Sequence, residues 1–525
     1  MAAAPPAPNA SPQPLAALVA ALSDAGLLAG AVEGDLAGVS VTGVAHDSRA
    51  VGRGALFVAI RGETSDGHQF LDAAAERGAV AAVVAADWPG VDTRPLGKGT
   101  RPSGAVLVPV TDTRAALGEV AVAFYGRASE RLDLLGVTGT NGKTTTGFLL
   151  HHLLTATGRK SGLVGTVETR IGTASYASAF TTPDALALAA LLRRMADDGC
   201  DACAMEVSSH ALAQDRVHGL DFRAAVFTNL THDHLDYHHT LESYASAKRR
   251  LFDSLAPAAV AAVNVDDPFH STMTASTPAR VVTYGSSAGA HVRVDVLANA
   301  VGGLQLRLDG YERRFRLAGA FNALNLAASY AVGRDLGIPA AEALDALADA
   351  PGVPGRFETT SSPDGVLGVV DYAHTPDALE NVLRTAREMM GDRGRMWVVF
   401  GAGGDRDRTK RPEMGAAAER WADHVVLTSD NPRSEDPWAI IRQIGAGLDR
   451  PTRAVVEPDR AAAIAWVAAS AAPGDVVIIA GKGHESVQVI GDDARPFDDR
   501  EHLRGALARR RGAEPVGPTP LEEAA

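Results

Sequence analysis

The sequence predicts an α/β protein with three domains, and three observations support this fold class. The chain has 525 residues, which is too many for one hydrophobic core and suggests about three or four domains. Short apolar runs alternate with helical stretches, a pattern typical of parallel sheets covered by helices. A glycine-rich turn follows the apolar run 132–137, which indicates a phosphate-binding loop at the end of a strand.

Changes in composition divide the chain into the expected domains. Residues 1–14 are rich in Ala and Pro, and residues 512–525 are rich in Pro, Glu and Ala, so we expect both ends to be disordered. The stretch Pro351-Gly-Val-Pro-Gly355 is typical of a linker and is a candidate hinge. We therefore expect a first domain at 15–128, a central domain at 129–351 and a third domain at 352–511.

The apolar runs of each domain give the expected strands in order. In the first domain, strands are expected at 54–60, 80–85 and 105–110, with a helix at 69–77. In the central domain, strands are expected at 132–137, 203–207, 224–228 and 260–265, helices at 148–154, 185–195, 241–255 and 322–337, and a hairpin at 301–308 and 311–317. In the third domain, strands are expected at 366–370, 396–400, 424–428 and 476–480, and glycine loops follow two of them, at 401–404 and 481–483. Ligands of open α/β sheets gather at such strand ends.

Composition narrows the functional classes. The net charge is -13, which argues against a non-specific nucleic-acid binder, because such a protein needs a basic face. Small anionic substrates stay possible if Arg and Lys are concentrated locally. The two cysteines, Cys200 and Cys203, are expected to be buried or half-buried thiols in a reducing compartment. No basic flank precedes the apolar stretch from Leu15, and no run reaches the ~18 apolar residues of a membrane span. A cytoplasmic protein is expected.

The turn Thr138-Gly-Thr-Asn-Gly-Lys-Thr144 carries the clearest chemistry. Gly139 and Gly142 let the backbone curl until several N–H groups point at one spot, where the following helix adds its positive end. Lys143 would reach the outer phosphates of a nucleoside triphosphate, and the Thr144 hydroxyl would bind Mg²⁺. The full phosphate-loop pattern is not kept, because Val137 stands where its first glycine should be.

Further candidates for metal chemistry follow this loop. Glu206 ends an apolar run, where a carboxylate beside the phosphate-loop strand could bind Mg²⁺. Residues 232–239 hold four histidines and two aspartates, which could form a metal site or a surface loop; we expect His234 to point at a phosphate-bound Mg²⁺. By composition alone Lys248 is a solvated helix lysine.

Together the motifs resemble one family. They run in order through all three domains: Thr138-Gly-Thr-Asn-Gly-Lys-Thr144, Met205-Glu-Val-Ser-Ser-His210, Asn229-Leu…Asp233-His-Leu-Asp236, Gly319-Ala-Phe-Asn-Ala-Leu-Asn325, Val353-Pro-Gly-Arg-Phe-Glu358 and Asp371-Tyr-Ala-His-Thr-Pro376. With these motifs the chain resembles the Mur ligases, ATP-dependent amide ligases that build the peptidoglycan stem peptide. The resemblance implies a Rossmann-like first domain that holds a UDP-sugar, a central ATPase domain and a Rossmann-like third domain that delivers an amino acid.

Within the family, the chain is similar to ligases that add a diamino acid to UDP-N-acetylmuramoyl-L-alanyl-D-glutamate. The resemblance assigns UDP-sugar contacts to His46, Ser48, Glu63, Thr64 and Ser65. It assigns the muramoyl-dipeptide to Thr181, Thr182, Ser208, Gln214 and Arg216. Many members of the family have Asn immediately before the two threonines, whereas this chain has Phe180 there.

The resemblance also implies the ATP and Mg²⁺ contacts. ATP would be held by Gly139, Thr140, Asn141, Gly142, Lys143, Thr144 and Thr145 of the loop and by Asn325, Arg356, Asp371 and His374. Mg²⁺ would be bound by Thr144, Glu206, His234 and Lys248. Lys248 matches a lysine that such ligases carry as a carbamate, an anion that could bind or orient Mg²⁺. The resemblance implies four catalytic residues, which are Lys143, Glu206, His234 and Lys248.

The amino-acid site has its own signature in the third domain. Its implied members are Arg406, Asp430, Asn431, Pro432, Arg433, Gly481 and Glu485. Taken alone, Asp430-Asn-Pro-Arg433 is a plain turn, but the resemblance marks it as typical of diaminopimelate rather than lysine enzymes. Arginine offers a planar fork to the second carboxylate of diaminopimelate, and an acid can accept from its ammonium. Both meso- and LL-diaminopimelate carry these charges, so both stay candidates.

The implied reaction transfers the ATP γ-phosphoryl group to the D-Glu γ-carboxylate and then lets the amine displace phosphate. Two anions meet in the first step, so Lys143, Mg²⁺ and the loop amides must offset the charge. No residue stands out as the base for the amine. Three alternatives stay open: a ligase that adds L-lysine, a phosphate-loop regulator without ligase activity, and a metal-binding protein that uses 232–239.

Overall fold

The computed structural model describes Pro5, Pro8 and residues 10–32, 36–62, 65–89, 106–391, 393–510 and 519–521. Its main sheets have four, eleven and seven strands and follow one another along the chain. This architecture confirms the expected α/β class with three domains. Among the described helices, none is both long and apolar enough to cross a membrane.

The first sheet is parallel, with strand order β3-β4-β5-β6. The elements of this region are β1 (Gln13–Pro14), α1 (Leu15–Asp24), β2 (Ser40–Val41), β3 (Gly43–Ala45), β4 (Ala55–Val58), α2 (Leu71–Glu76), β5 (Ala81–Ala85), β6 (Val106–Val110) and α3 (Thr113–Phe124). Asp112 begins α3 by accepting from the backbone N–H of Arg114 and Ala115. The predicted helix 69–77 is a single 3₁₀ turn, Gly67–Phe70, followed by the short helix α2.

The central sheet has eleven strands and carries the phosphate loop. Its region contains β7 (Asp133–Thr138), α4 (Lys143–Ala156), β8 (Ser161–Val164), β9 (Glu168–Ile171), β10 (Ala174–Ala177), α5 (Ala185–Asp197), β11 (Ala202–Glu206), α6 (Ser209–Ala213), β12 (Ala224–Phe227), α7 (Leu235–His238), α8 (Leu241–Asp253), β13 (Val260–Asn264), α9 (His270–Thr274), β14 (Arg280–Gly285), β15 (Val292–Ala300), β16 (Gly303–Leu308), β17 (Tyr311–Phe315), α10 (Asn322–Asp335) and α11 (Ala340–Ala348). The strand order is β10-β9-β8-β11-β7-β12-β13-β14-β15-β16-β17.

The centre of this sheet is parallel and buried on both faces. Every residue of β11, β12 and β13 is buried, and separate apolar clusters cover the two faces, as expected for parallel strands. Antiparallel pairs complete both ends, β9 with β10 and β16 with β17. The second of these pairs is the predicted hairpin. The sequence did not predict five strands of this sheet, which are β8, β9, β10, β14 and β15.

The third sheet has the order β18-β19-β23-β20-β21-β22-β26. Its region contains β18 (Glu358–Ser361), β19 (Leu367–Asp371), α12 (Pro376–Met390), β20 (Met396–Phe400), α13 (Lys410–Trp421), β21 (His424–Leu427), α14 (Pro437–Gly445), β22 (Val455–Val456), α15 (Arg460–Ser470), β23 (Val476–Ala480), β24 (Val487–Ile490), β25 (Asp493–Pro496), α16 (Asp499–Ala508) and β26 (Thr519–Pro520). The four strands predicted here, β19, β20, β21 and β23, are parallel neighbours.

Two short strands correct the expectation of disorder at the chain ends. Gln13 and Pro14 pair with Val41 and Ser40, and Thr519–Pro520 pairs with β22 at the edge of the third sheet. The disorder expected for 1–14 and 512–525 does not hold for these four residues. Three further 3₁₀ turns lie at Ser48–Ala50, Ala128–Arg131 and Pro451–Arg453. Cys200 and Cys203 are free and buried, as predicted.

Candidate active site

The phosphate loop has the conformation that its glycines predict. Gly139 has φ +151° and Gly142 has φ +86°, and Gly142 immediately precedes α4. A Cβ on Gly139 would lie 1.9 Å from Thr228 Oγ1, and one on Gly142 would lie 2.5 Å from Asn325 Oδ1. Both positions therefore require glycine, and the loop leaves the N-terminus of α4 open to an anion.

Lys143 folds back onto this loop. Its Nζ donates to the carbonyls of Gly139 at 2.8 Å and Thr140 at 2.7 Å. Desolvation lowers the pKa of Lys143, while the charges of Glu206 and Asp233 oppose this shift. The ammonium thus lies at the loop, where a phosphate would give it a stronger partner than two carbonyls do.

Glu206 lies at the carboxyl end of β11, next to the phosphate-loop strand β7. The Thr144 hydroxyl donates to Glu206 Oε2 at 3.0 Å, and the backbone N–H of Thr166 donates to Oε1 at 2.7 Å. Glu206 is 1% exposed. A hydroxyl and a buried carboxylate in contact are oxygen ligands of the type that Mg²⁺ prefers, so these two residues fit the predicted metal site.

The four histidines of 232–239 contact different partners. His234 lies beside Asp233 and the ring of His210, and burial lowers its pKa, which favours a neutral imidazole. His238 Nε2 lies 2.9 Å from Ser209 Oγ. The ring nitrogens of His232 lie 4.0 Å from the carboxylates of Asp407 and Glu413. His239 is exposed. Within the described residues, no group of three or more His, Cys, Asp or Glu side chains could hold a metal ion.

Lys248 is buried, so the reading of this residue as a solvated helix lysine is wrong. It is 1% exposed, its Nζ donates to the Gly139 carbonyl at 2.8 Å, and Nζ lies 4.3 Å from the centre of the Tyr244 ring. Burial lowers the pKa of Lys248 well below that of an ordinary lysine, and the charge of Lys143 adds to this shift. A buried amine with a lowered pKa therefore lies beside the phosphate loop.

The third domain closes one side of the same site. Arg356 Nη2 donates to Thr144 Oγ1 at 3.2 Å, and its Nη1 is buried without a partner among the described residues. Burial raises the pKa of Asp371 to about 6 against the charge of Arg356, and the Asp371 carboxylate accepts from the backbone N–H of Phe357 and Ala373. His374 Nδ1 lies 2.8 Å from the Tyr372 carbonyl.

These groups line one cavity of about 680 Å³ between the central and third domains. The predicted ATP and metal residues that line it are Thr140, Asn141, Gly142, Lys143, Thr144, Thr145, Glu206, His234, Lys248, Asn325, Arg356, Asp371 and His374. Arg356 lines this cavity and has a buried donor, Nη1, without a partner among the described residues, which suits an anionic ligand.

A second cavity of about 230 Å³ lies between the first and central domains. Its lining includes His46, Phe180, Asp184, Gln214 and Arg216. His46 Nε2 lies 3.7 Å from Asp184, whose carboxylate raises the pKa of His46. Arg216 donates to Gln214 Oε1 at 2.7 Å. Phe180 is 63% exposed, an unusual position for a phenyl ring.

The remaining predicted dipeptide and UDP-sugar residues have different surroundings. Thr181 shares a hydrogen bond of 3.0 Å with Thr166, and Thr181 and Ser208 line the larger cavity. Thr182 donates to the Glu206 carbonyl at 2.9 Å. In the first domain, Ser48 begins a 3₁₀ turn and Ser65 is exposed. Glu63 and Thr64 lie outside the described residues.

The predicted amino-acid residues meet at the carboxyl ends of β20, β21 and β23. Asn431 Nδ2 donates to Glu485 Oε2 at 2.7 Å, and Arg433 Nη1 donates to the Gly404 carbonyl at 2.6 Å. Gly481 packs against Asp430, Pro432 is buried, and Arg406 is exposed on the glycine loop after β20. The guanidinium of Arg433 and the carboxylate of Glu485 thus come from two loops that are in contact, 430–433 and 481–485.

Sequence comparisons agree with this geometry. Three family models match the chain: "Mur ligase family, catalytic domain" over residues 40–125, "Mur ligase middle domain" over 137–333 and "Mur ligase, glutamate ligase domain" over 355–483. A relative from Geobacillus thermodenitrificans is 45% identical over 476 residues, which cover 89% of this chain and 94% of the relative. The chain belongs to the Mur ligase family.

Two other proteins resemble this Mur ligase closely. A relative from Chlorobaculum tepidum is 45% identical over 505 residues, covering 94% of this chain and 97% of the relative. Like the Geobacillus protein, it is named UDP-N-acetylmuramoyl-L-alanyl-D-glutamate–2,6-diaminopimelate ligase. A solved structure of a ligase with this name has a TM-score of 0.64 at 34% identity and covers 91% of this chain and 97% of its own.

Two residues of this Mur ligase were missed by the sequence analysis. Asp377 Oδ2 accepts from Asn141 Nδ2 at 3.0 Å and from Thr231 Oγ1 at 3.2 Å, and so joins the third domain to the phosphate loop. Lys482 is fully buried and donates to Asn431 Oδ1 at 2.9 Å and Glu485 Oε2 at 3.0 Å. Asp377 lies just after the predicted Asp371–Pro376 motif and Lys482 lies between Gly481 and Gly483, so position within a motif was the available signal.

Proposed function

We propose that this Mur ligase joins 2,6-diaminopimelate to the D-Glu γ-carboxylate of UDP-N-acetylmuramoyl-L-alanyl-D-glutamate and converts ATP to ADP and phosphate. The observation that carries the proposal is the third-domain site, where Arg433 and Glu485 lie on loops joined by the Asn431 hydrogen bond. A guanidinium and a carboxylate match the zwitterionic distal end of diaminopimelate. The names of relatives at about 45% identity support it.

L-lysine is not favoured as the added amino acid. The lysine side chain ends in an ammonium alone, so it would offer no carboxylate to Arg433 in this site. A buried or half-buried guanidinium without an anionic partner loses its main stabilising interaction. The curated relatives at 42–46% identity carry the diaminopimelate name, which supports the same choice.

The proposed domains divide the substrates among themselves. Residues 15–128 would hold the UDP-sugar through His46, Ser48, Glu63, Thr64 and Ser65. Residues 129–351 would hold ATP at the phosphate loop and the dipeptide at Thr181, Thr182, Ser208, Gln214 and Arg216. Residues 352–511 would supply Arg356, Asp371 and His374 to the nucleotide and would bind diaminopimelate at Arg406, Asp430, Asn431, Pro432, Arg433, Gly481 and Glu485.

The first chemical step forms an acyl phosphate. A γ-carboxylate oxygen attacks the ATP γ-phosphorus, the bond from phosphorus to the β,γ-bridging oxygen breaks, and ADP leaves. Because both reactants are anions, the protein must offset their charge. Lys143 would move its ammonium from the Gly139 and Thr140 carbonyls to the phosphates, and the loop N–H groups and the free Nη1 of Arg356 would add donors.

Mg²⁺ fits the donor set of this site. The ion would be held by the Thr144 hydroxyl, the Glu206 carboxylate, His234 and a carbamylated Lys248. The Thr144 hydroxyl and the Glu206 carboxylate are already in contact. When bound, the ion would neutralise phosphate charge and hold the triphosphate in place. The buried Glu206 carboxylate accepts hydrogen bonds from two neutral residues, Thr144 and Thr166.

The second step makes the amide. The diaminopimelate amine attacks the acyl carbon, and a tetrahedral intermediate forms. Phosphate leaves as the C–O bond breaks, and the nitrogen loses one proton, so the products are the amide, phosphate and a proton. Water would hydrolyse the acyl phosphate, so the third domain must cover the site, with residues 351–355 as the hinge. The Asp377 contacts with Asn141 and Thr231 suit such a closed arrangement. The reaction belongs to the cytoplasmic stage of peptidoglycan precursor synthesis.

Phosphate release tests the proposed function. We expect rapid phosphate release only with ATP, the UDP-dipeptide and diaminopimelate together, and a product mass equal to the UDP-tripeptide. Separate reactions with meso-diaminopimelate, LL-diaminopimelate and L-lysine identify the amino acid. Equal turnover with L-lysine, or ATP hydrolysis that ignores the amino acid and yields no peptide, would refute the proposal.

A carbamate on Lys248 predicts that activity depends on dissolved carbon dioxide. Carbamate formation needs a neutral amine, and burial beside Lys143 favours that form. We expect activity to fall after removal of carbon dioxide and to return with added bicarbonate. We also expect activity to fall as the pH drops through the lowered pKa of Lys248, because the amine gains a proton below that pH. The matched control, Lys160→Arg on the surface of the same domain, should keep both responses, and the variant Lys248→Arg should lose activity that bicarbonate does not restore.

A further inference from the structure

Arg460 links three segments of the third domain. It is the first residue of α15, is 0% exposed, and pairs in a bidentate manner with Asp499, both bonds being 2.7 Å long. Its Nη1 also donates to the Ser429 carbonyl at 3.3 Å, and its Nη2 donates to the Ala480 carbonyl at 2.9 Å. One buried guanidinium therefore makes four hydrogen bonds to three parts of the chain.

The two carbonyls that Arg460 binds stand directly before the two loops of the proposed amino-acid site. Ser429 precedes residues 430–433, and Ala480 precedes residues 481–485. These loops follow β21 and β23, which are separated in the sheet by β20. Because β21 and β23 share no backbone hydrogen bonds, Arg460 provides a direct connection between their ends.

The spacing between the loops has little tolerance. Gly481 has φ +116°, and a Cβ at this position would lie 2.4 Å from Asp430 Oδ2. Asn431 and Glu485 are joined across the gap at 2.7 Å. A small shift of one loop would therefore alter the position of the charged groups on both.

The charges around Arg460 couple it to the same loops. Burial lowers the pKa of Arg460, but Asp499 outweighs this effect, and Asp430 and Glu485 add to it, so the net shift is upward. Asp499 is itself 0% exposed, so either partner left alone would be an unpaired buried charge. The pair therefore acts as a unit.

We propose that Arg460, held by Asp499, is a positioning residue that sets the separation of the two loops binding the distal end of the diamino acid. This inference rests on the proposed function, which assigns residues 430–433 and 481–485 to diaminopimelate. The hydrogen bonds of Arg460 go to protein groups, so it acts on the substrate through the loops.

Steady-state kinetics of Arg460→Lys and Asp499→Asn test this role. An ammonium cannot span a carboxylate and two carbonyls as the planar guanidinium does. We expect KM for diaminopimelate to rise about 10- to 100-fold, as for misplaced binding groups, while KM for ATP and for the UDP-dipeptide stay unchanged. The matched control is Asp475→Asn. Asp475 is buried at the opposite ends of β20 and β23 and accepts from Arg395 N–H at 2.7 Å and Trp397 Nε1 at 3.0 Å, so its loss should lower stability without the selective KM change.

The double variant Arg460→Met with Asp499→Leu separates positioning from stability. It removes both charges together, so we expect thermal unfolding closer to the wild type than in either single variant, while KM for diaminopimelate stays raised. A double variant with restored stability and wild-type KM would overturn the proposal, as would equal rises in all three KM values in folded Asp499→Asn. Failure of the wild-type protein to use diaminopimelate at all would instead refute the proposed function.

Discussion

Replacement of Lys143 by methionine is expected to lower kcat by about 10²–10³-fold, the usual cost of removing one donor that stabilises charge in a transition state. The Lys143 ammonium rests on two loop carbonyls at 2.7 and 2.8 Å. In the proposed mechanism, the ammonium moves from these carbonyls to the transferring phosphoryl group. Methionine keeps the length of the side chain but brings no charge to the phosphates.

Isotope exchange and quenched flow measure the rate of phosphoryl transfer itself, the step at which Lys143 is expected to act. Formation of ADP in a single turnover should slow by the same factor as kcat, because the lost interaction belongs to phosphoryl transfer. Lys160→Met provides a matched control, since Lys160 is an exposed lysine of the same domain. If Lys143→Met turned over at the wild-type rate, the nucleotide would have to lie elsewhere, and the proposed mechanism would be wrong.

Replacement of Arg433 by alanine should have the second large effect, on the use of diaminopimelate. Loss of one partner of a desolvated charge pair costs about 2–5 kcal/mol, so we expect kcat/KM for diaminopimelate to fall by about 30- to 5,000-fold. Arg433→Lys should fall nearly as far, because an ammonium cannot bind a carboxylate with a planar fork. KM for ATP should stay unchanged.

A neighbouring arginine gives the control for this prediction. Arg442 lies on α14 of the same domain and makes only an exposed contact of 3.6 Å with Asp436. Arg442→Ala should therefore leave kcat/KM for diaminopimelate unchanged. Unaltered kinetics in Arg433→Ala would remove diaminopimelate from the site built by residues 430–433.

The strand ends show how far sequence reasoning reaches. The position of Glu206 beside the phosphate loop follows from two apolar runs that become adjacent parallel strands, and the structure has them so. The antiparallel pair β9 and β10 was missed because its strands are only four residues long, which is too short for a clear alternation.

Lys248 and Lys482 show where composition fails. Both lie within polar stretches, yet they are 1% and 0% exposed, because segments distant in sequence fold over them. Lys248 binds a carbonyl 109 residues away, and Lys482 binds an amide 51 residues away. Local pattern carries no information on such contacts. The family resemblance assigned a role to Lys248, whereas it assigned none to Lys482.

The strand order of the third sheet also bears on how new specificities evolve. Asp371 is the last residue of β19 and His374 lies in the loop after it, whereas the loops proposed to bind the amino acid follow β20, β21 and β23. Because β23 and β20 lie between β19 and β21, mutation of the loop after β21 can change the amino-acid pocket at a distance from the nucleotide residues at the end of β19. This separation lets one scaffold accept different amino acids while it keeps its nucleotide site.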